Sequence, residues 1–190
     1  MRLLYQKWLM SLGLIMMFCA GCALAQPGVL TFDKHNIVLD CYDASDMKIS
    51  YGNYRNHGLY QREYTPGHER KVARAKRPSD DTNFLDGTMG YYRAFEGLLY
   101  VQWHALDDSV IKTTVDLDEV FPGKVIPNHE DPKRIYWPIP TGRLPCIVIE
   151  VNNRTLSIYS DVDILLLPED GNASNKKSHR NRTLVFSKTY

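Results

Sequence analysis

The feature that most restricts the fold of this chain is a succession of short apolar runs rich in β-branched and aromatic residues. Four of these runs are Leu98–His104, Val110–Leu117, Cys146–Val151 and Thr155–Tyr159. Asp107-Asp108 separates the first two, and an Asn-rich turn at Asn152-Asn153-Arg154 separates the last two, as in β-hairpins. No sustained helical stripe follows the first 26 residues. The pattern predicts an all-β, mainly antiparallel domain, either a single β-sandwich or a partly open barrel.

Two polar segments interrupt this pattern. Residues 62–90 begin with a basic stretch and continue through a turn-rich sequence without apolar periodicity. Residues 171–182 (GNASNKKSHRNR) are polar and basic. We therefore expect a long loop at about 62–90 and a basic loop at about 171–182, both within a single domain over residues 22–190.

The N-terminus has the three-part pattern of an export signal. Arg2 and Lys7 precede an apolar run from Trp8 to Phe18, which small residues follow. This run is shorter than the roughly 20 residues that a conventional membrane-spanning helix needs. The pattern predicts a cleavable secretory leader and a domain outside the cytoplasm.

Two cleavage positions compete at the end of this leader. Ala23-Leu24-Ala25 fits ordinary signal cleavage, which would remove residues 1–25. Ala20-Gly21-Cys22 resembles the lipobox of bacterial lipoproteins, although Cys19 stands where that family usually has Leu. We favour the lipobox interpretation. It predicts removal of residues 1–21, lipidation of Cys22 and a firm membrane anchor. Ala23 after that cysteine resembles signals for sorting to the outer membrane of Gram-negative bacteria.

Two cysteines remain in the exported domain. Cys41 and Cys146 both lie in predicted strands, and an oxidising compartment favours their pairing. The alternative is a pair of buried free thiols that act as small apolar residues. We expect the disulfide.

The charge balance argues against nucleic acid as the main partner. The chain has 23 basic and 22 acidic residues, and Arg2 and Lys7 belong to the leader. Binding to phosphates requires a concentrated excess of Lys and Arg. The 12 tyrosines instead favour strands and protein contact surfaces.

Motifs of catalysis, metal binding and cofactor binding are not recognisable in the sequence. There is no Gly-x-Ser-x-Gly elbow and no His-Glu-x-x-His helix, and the two cysteines after the leader are too sparse for a structural zinc site. The best acidic groups are His129-Glu130-Asp131 and Asp116-x-Asp118-Glu119, for which we favour a solvated turn and a helix cap, respectively. We therefore predict a protein that is not an enzyme and needs no cofactor.

The C-terminal half carries a resemblance to a known group of proteins. The segments concerned are YVQWHALDDSVIKTTVDLDEVFPGK, RIYWPIP and IVIEVNNRTLSIYS, within Leu99 to Ile164. They resemble small bacterial envelope lipoproteins of unknown-function families, some of which are regarded as immunity proteins of type VI secretion effectors. The resemblance implies a periplasmic protein that binds and neutralises a secreted toxin such as a phospholipase. A structural or ligand-binding envelope lipoprotein is the alternative.

An immunity protein would bind its toxin through a few aromatic and Arg anchors on loops. The candidates lie in or beside the irregular segment at 62–90 and have no clear strand pattern that would bury them. They are Tyr60, Tyr64, Tyr91, Tyr92 and Arg93.

Overall fold

Nine strands form two sheets in the part of the chain that the computed structural model describes, which is residues 30–51, 54–59, 71–81, 88–93, 95, 97–136, 144–169, 174 and 176–190. The strands are β1 (Lys34–Tyr42), β2 (Ala44–Tyr51), β3 (Tyr54–Leu59), β4 (Thr88–Arg93), β5 (Leu99–Ala105), β6 (Val110–Val115), β7 (Cys146–Asn152), β8 (Thr155–Leu166) and β9 (Lys177–Thr189). A one-turn helix, α1 (Leu117–Val120), and 3₁₀ turns at Pro78–Asp81 and Pro122–Lys124 complete the described elements. None of the described helices is long and apolar enough to cross a bilayer.

The two sheets are separate and do not close into a barrel. The first has five strands in the order β4-β1-β7-β8-β9, and the second has four in the order β3-β2-β5-β6. Neighbouring strands are antiparallel except for the central pair β1 and β7, which run parallel. The predicted all-β class is therefore confirmed, in its sandwich form.

A single apolar core joins the inner faces of the two sheets. Alternate residues of the inner strands of each sheet supply most of it, as the period of two in a strand requires. The five-stranded sheet contributes Ile37, Leu39, Ile147, Ile149 and Ile158, and the four-stranded sheet contributes Met47, Ile49, Leu99, Val101 and Trp103. The alternation visible in the sequence thus produces the sandwich.

The indole of Trp103 links the two sheets at one end of this core. Its Nε1–H donates to the Asn153 carbonyl oxygen at 2.6 Å, in the turn between β7 and β8. The side-chain oxygen of Asn153 accepts from the Leu106 amide at 3.0 Å, in the turn after β5. The two predicted hairpins are confirmed, and each has a turn residue at positive φ, Asp108 at 63° and Asn153 at 50°. Asn and Asp tolerate that conformation better than other side chains.

The predicted loop boundaries are wrong at two places. Residues 88–90 belong to β4, and residues 177–182 belong to β9. The basic residues of β9 do not prevent pairing because alternate side chains leave the sheet toward solvent or toward carboxylates on β8. Arg180, for example, holds Asp161 of β8 at 2.9 Å.

The predicted disulfide between Cys41 and Cys146 is wrong, because both thiols are free. In the parallel pairing of β1 and β7, Cys146 lies beside Asn36, whereas Cys41 lies beside Val151. Five residues of strand therefore separate the two cysteines, about 16 Å at the rise of a parallel strand. A disulfide needs Cα atoms within about 7 Å.

Mass spectrometry tests this correction directly. Unfolding the mature protein in iodoacetamide without reductant should place one carbamidomethyl group on Cys41 and one on Cys146. In the folded protein Cys41 should stay unmodified, because burial raises the pKa of its thiol to about 12 and the thiolate is the reactive form. Peptides that gain these groups only after reduction would restore the disulfide.

Candidate functional site

The outer face of the five-stranded sheet carries a cluster of buried charges. Asp40 of β1 and Glu150 of β7 are direct neighbours in the parallel pairing, and both carboxylates are buried. Two adjacent carboxylates repel one another and lose hydration, so they require cations. Lys76 and Arg182 supply the positive charges.

Lys76 comes from residues 71–81, which lie across this face and which we call the covering segment. Its Nζ lies 2.9 and 2.8 Å from the two Glu150 carboxylate oxygens and 2.7 Å from Asp81. Arg182 of β9 reaches the same pair, with Nη2 at 3.5 Å from Glu150 and 3.8 Å from Asp40. Burial opposes the charge of Lys76, but its hydrogen bonds to Asp81 and Glu150 outweigh that effect and raise its pKa.

A second ion pair lies within the covering segment and stabilises its conformation. The Arg74 guanidinium binds Asp80 with two contacts of 2.7 Å, and the Arg77 amide donates to the same carboxylate at 2.7 Å. The hydrogen bonds from Arg74 hold the pKa of Asp80 at about 2. A backbone bond from Ala73 to Ala44, at 2.8 Å, ties the segment to the start of β2. The chain itself therefore covers the buried carboxylates on this face.

His35 is the other buried titratable group that stands out. Its ring is fully buried among four aromatic rings, with centroids 5.7 to 5.9 Å away, namely Phe32, Tyr51, Tyr92 and Phe95. Neither ring nitrogen hydrogen-bonds to any of the described residues. Burial therefore lowers the pKa of His35 to about 4, and the ring is neutral at pH 7.

The outer face of the four-stranded sheet differs because it is open to solvent. We call the part formed by β2, β5 and β6 the open face. Cross-strand pairing places Lys48, Gln102 and Lys112 in one row. The adjacent row consists of Ser50, Tyr100 and Thr114. Neighbouring strands lie about 4.8 Å apart, so the two lysines stand on either side of Gln102 at a separation of roughly 10 Å.

The open face forms a shallow groove of about 300 Å³, bordered by these two rows. Tyr100 is 51% exposed, although aromatic side chains usually bury most of their surface. Lys48 and Lys112 are also exposed, and neither pairs with a carboxylate of the described residues. The rows bring two cations, one aromatic ring and three polar groups together and contain no acid. Such a surface can bind an anionic or acidic partner.

The residues predicted to contact a partner do not form one site. Tyr92 is 2% exposed and stacks on His35 in the core, so its assignment as a surface anchor is wrong. It faces inward because β4 pairs with β1, with Tyr92 opposite His35, whereas Arg93, the next residue, is exposed. Tyr91 lies in β4, opposite Asn36.

The other residues singled out from the sequence lie outside the described ranges or in turns. Tyr60, Tyr64 and Cys22 lie outside the described ranges. Asp116 caps α1, accepting from the Asp118 amide at 2.9 Å, as the helix-cap interpretation expects. Glu130 binds the ring of His179 on β9. Within the described residues no group of three or more His, Cys, Asp or Glu could hold a metal ion.

The sequence contained a signal for the open face that the loop-based prediction missed. Lys48, Tyr100 and Lys112 each occupy a polar position of an alternating strand, next to the buried Ile49, Val101 and Ile111. Alternation alone assigns such residues to a solvated face. Only strand order shows that the three lie side by side.

Comparisons with protein-family models, curated proteins and solved structures yield no match to this chain.

The burial of His35 predicts a pH-dependent stability. The ordinary pKa of a histidine is 6.5, so below that pH the His35 ring takes up a proton in the unfolded chain. In the folded protein the ring stays neutral down to about pH 4. Stability should therefore fall as the pH falls through this window, by about 2 kcal/mol from this group between pH 7 and 5. Urea unfolding at both pH values measures it.

His35→Phe should remove this part of the pH dependence, because a phenyl ring fits an aromatic cluster and does not titrate. His129→Phe is the matched control, since His129 is exposed and its variant should keep the wild-type slope. Equal pH slopes for wild type and His35→Phe would contradict the assignment.

Proposed function

We propose that this is a non-catalytic binding protein of the bacterial cell envelope that neutralises a secreted toxin, and that the open face is its contact surface. The observation that carries the proposal is the arrangement of Lys48, Gln102 and Lys112 beside the half-exposed Tyr100. Toxin neutralisation itself rests on the resemblance of Leu99 to Ile164 to envelope lipoproteins. Two of the three strands of the open face, β5 and β6, lie within that segment.

The electrostatics of the open face favour an acidic protein surface as partner. Lys48 and Lys112 make no ion pair with a described residue, so a partner's carboxylates need not displace internal ones. Complementary charges accelerate association and orient the partner. Tyr100 supplies an amphipathic ring with few rotatable bonds, the kind of residue that anchors interfaces. The rigid strands hold all three groups in place before binding.

The size of the groove supports a second candidate. A concavity of about 300 Å³ is at the lower limit of ordinary small-molecule sites. The same two lysines and Tyr100 could hold a small anionic ligand, which corresponds to a ligand-binding envelope lipoprotein. A protein partner fits better because the groove is shallow and lies on a broad exposed sheet.

We further propose that the protein is exported and anchored at Cys22, in the periplasm and on the outer membrane. The support is the lipobox Ala20-Gly21-Cys22 after a short apolar run. An anchor of several acyl chains would keep the binding domain at the membrane where a delivered toxin arrives.

Charge reversal on the open face tests the contact surface. Lys48→Glu combined with Lys112→Glu should weaken binding to the secreted toxin that the wild type neutralises by at least about tenfold, since like charges would replace complementary ones. Titration calorimetry measures the affinity. Survival of cells that send the toxin to the periplasm measures the protection, which should fall in parallel.

The matched control is Lys133→Glu with Lys177→Glu. Both lysines are exposed and lie outside the open face, and the net charge changes by the same amount. The control should bind and protect like the wild type. If both double variants bind with equal affinity, the contact surface is not the open face. If the wild type does not protect, the protein does not neutralise that toxin.

Metabolic labelling tests the anchor. Cells given an alkyne fatty acid should label the wild-type protein but not Cys22→Ser, because the lipid is attached to that thiol. Cys19→Ser is the control and should retain the label. A mature protein that begins at Gln26 would contradict lipidation.

A further inference from the structure

The cluster beneath the covering segment has the composition of a receptor for a primary ammonium ion. Lys76 Nζ lies within 2.9 Å of both Glu150 carboxylate oxygens. Two tyrosine rings flank it, with centroids 5.9 Å away for Tyr42 and 5.8 Å away for Tyr159. Carboxylate contact combined with aromatic faces is how proteins bind alkylammonium groups.

The residues around Lys76 come from four strands of the five-stranded sheet and from the covering segment. The sheet contributes Asp40 and Tyr42 from β1, Glu150 from β7, Tyr159 from β8 and Arg182 from β9, and the covering segment contributes Asp81. Arg182 provides one positive charge against the two buried carboxylates, and its guanidinium stacks 4.3 Å above the Tyr159 ring. Without Lys76 this set of side chains would carry a net negative charge. The two buried carboxylates, Asp40 and Glu150, therefore need one cation in addition to Arg182.

The position of this cation is reachable from solvent. The Lys76 side chain is 20% exposed, whereas the Glu150 side chain is only 4% exposed. The Lys76 side chain therefore runs from the partly exposed surface to the buried carboxylate of Glu150. Truncation of Lys76 to alanine would remove three carbons and one nitrogen. The space that they leave would end at the Glu150 carboxylate.

We propose that Tyr42, Tyr159 and Glu150 form a binding site for a primary alkylammonium ion and that Lys76 occupies it as a tethered ligand. The covering segment is then bound to the sheet in the way a separate ligand would be. A lysine side chain of a partner and a free alkylamine both carry the group that the site recognises. This site lies on the opposite sheet from the open face and does not depend on the proposed function.

Chemical rescue of a truncated variant tests the proposal. In the full mature protein, Lys76→Ala should melt at a lower temperature than the wild type. Propylammonium chloride replaces the missing atoms, so at roughly 100 mM it should raise the Tm of this variant by at least about 2–4 °C over the same concentration of NaCl. Propanol lacks the charge and tetramethylammonium lacks N–H donors, so neither should do so.

The wild type should not respond, because a tethered lysine has an effective concentration that a free amine does not match. Lys133→Ala, an exposed lysine outside the cluster, is the matched control and should not respond either. Adding Glu150→Gln to Lys76→Ala should abolish the rescue. Should Lys76→Ala fail to fold, refolding with propylammonium should restore the native near-ultraviolet circular dichroism that NaCl does not restore.

A second arm distinguishes the source of the ammonium. Nα-acetyl-lysine methylamide carries the same group on a peptide backbone, and a rise in Tm with it supports a partner's lysine as ligand. A rise with propylammonium alone supports a free alkylamine. A Tm of Lys76→Ala that rises no more in propylammonium than in NaCl, or that rises equally in the wild type, overturns the proposal.

Discussion

The central strands β1 and β7 are covered on both faces, and much of the structure depends on this burial. Every residue from Ile37 to Tyr42 and from Ile147 to Val151 is buried. Their inner faces pack in the core of the sandwich, whereas their outer faces carry Asp40 and Glu150. Buried carboxylates are tolerated only with cations and hydrogen bonds around them. Lys76 and Arg182 therefore have to reach this face from the covering segment and from β9.

This requirement makes the two outer faces of the sandwich different. On the five-stranded sheet, Lys76 and Arg182 lie within 4 Å of the buried carboxylates that they balance. On the four-stranded sheet, Lys48, Lys112 and Tyr100 point outward without a carboxylate beside them in the described residues. A surface whose charges are already paired gains little from a partner, whereas a surface with unpaired cations gains from each complementary group. This asymmetry is the physical reason for proposing the open face as the contact surface.

Part of the candidate site could be predicted from the sequence, and part could not. Alternation in MKISY, YVQWH and VIKTT shows that Lys48, Tyr100 and Lys112 occupy polar strand positions. Their proximity depends on the order in which β2, β5 and β6 pair, which no local pattern contains. Tyr92 shows the converse error. Its neighbours lack a clear strand pattern, yet pairing of β4 with β1 turns its ring into the aromatic cluster around His35.

The sequence by itself determined the class of fold, the two hairpins and the cap of α1, because period-two alternation, turn residues at positive φ and a capping carboxylate act over a few positions. Tertiary structure alone decided the parallel pairing of β1 with β7, the free state of Cys41 and Cys146, and the meeting of Lys76 with Glu150, which lies 74 residues further along the chain. These features depend on which strands become neighbours and in what register. That choice is made by the packing of the whole core, where many weak contacts act together, and no short segment of sequence encodes it.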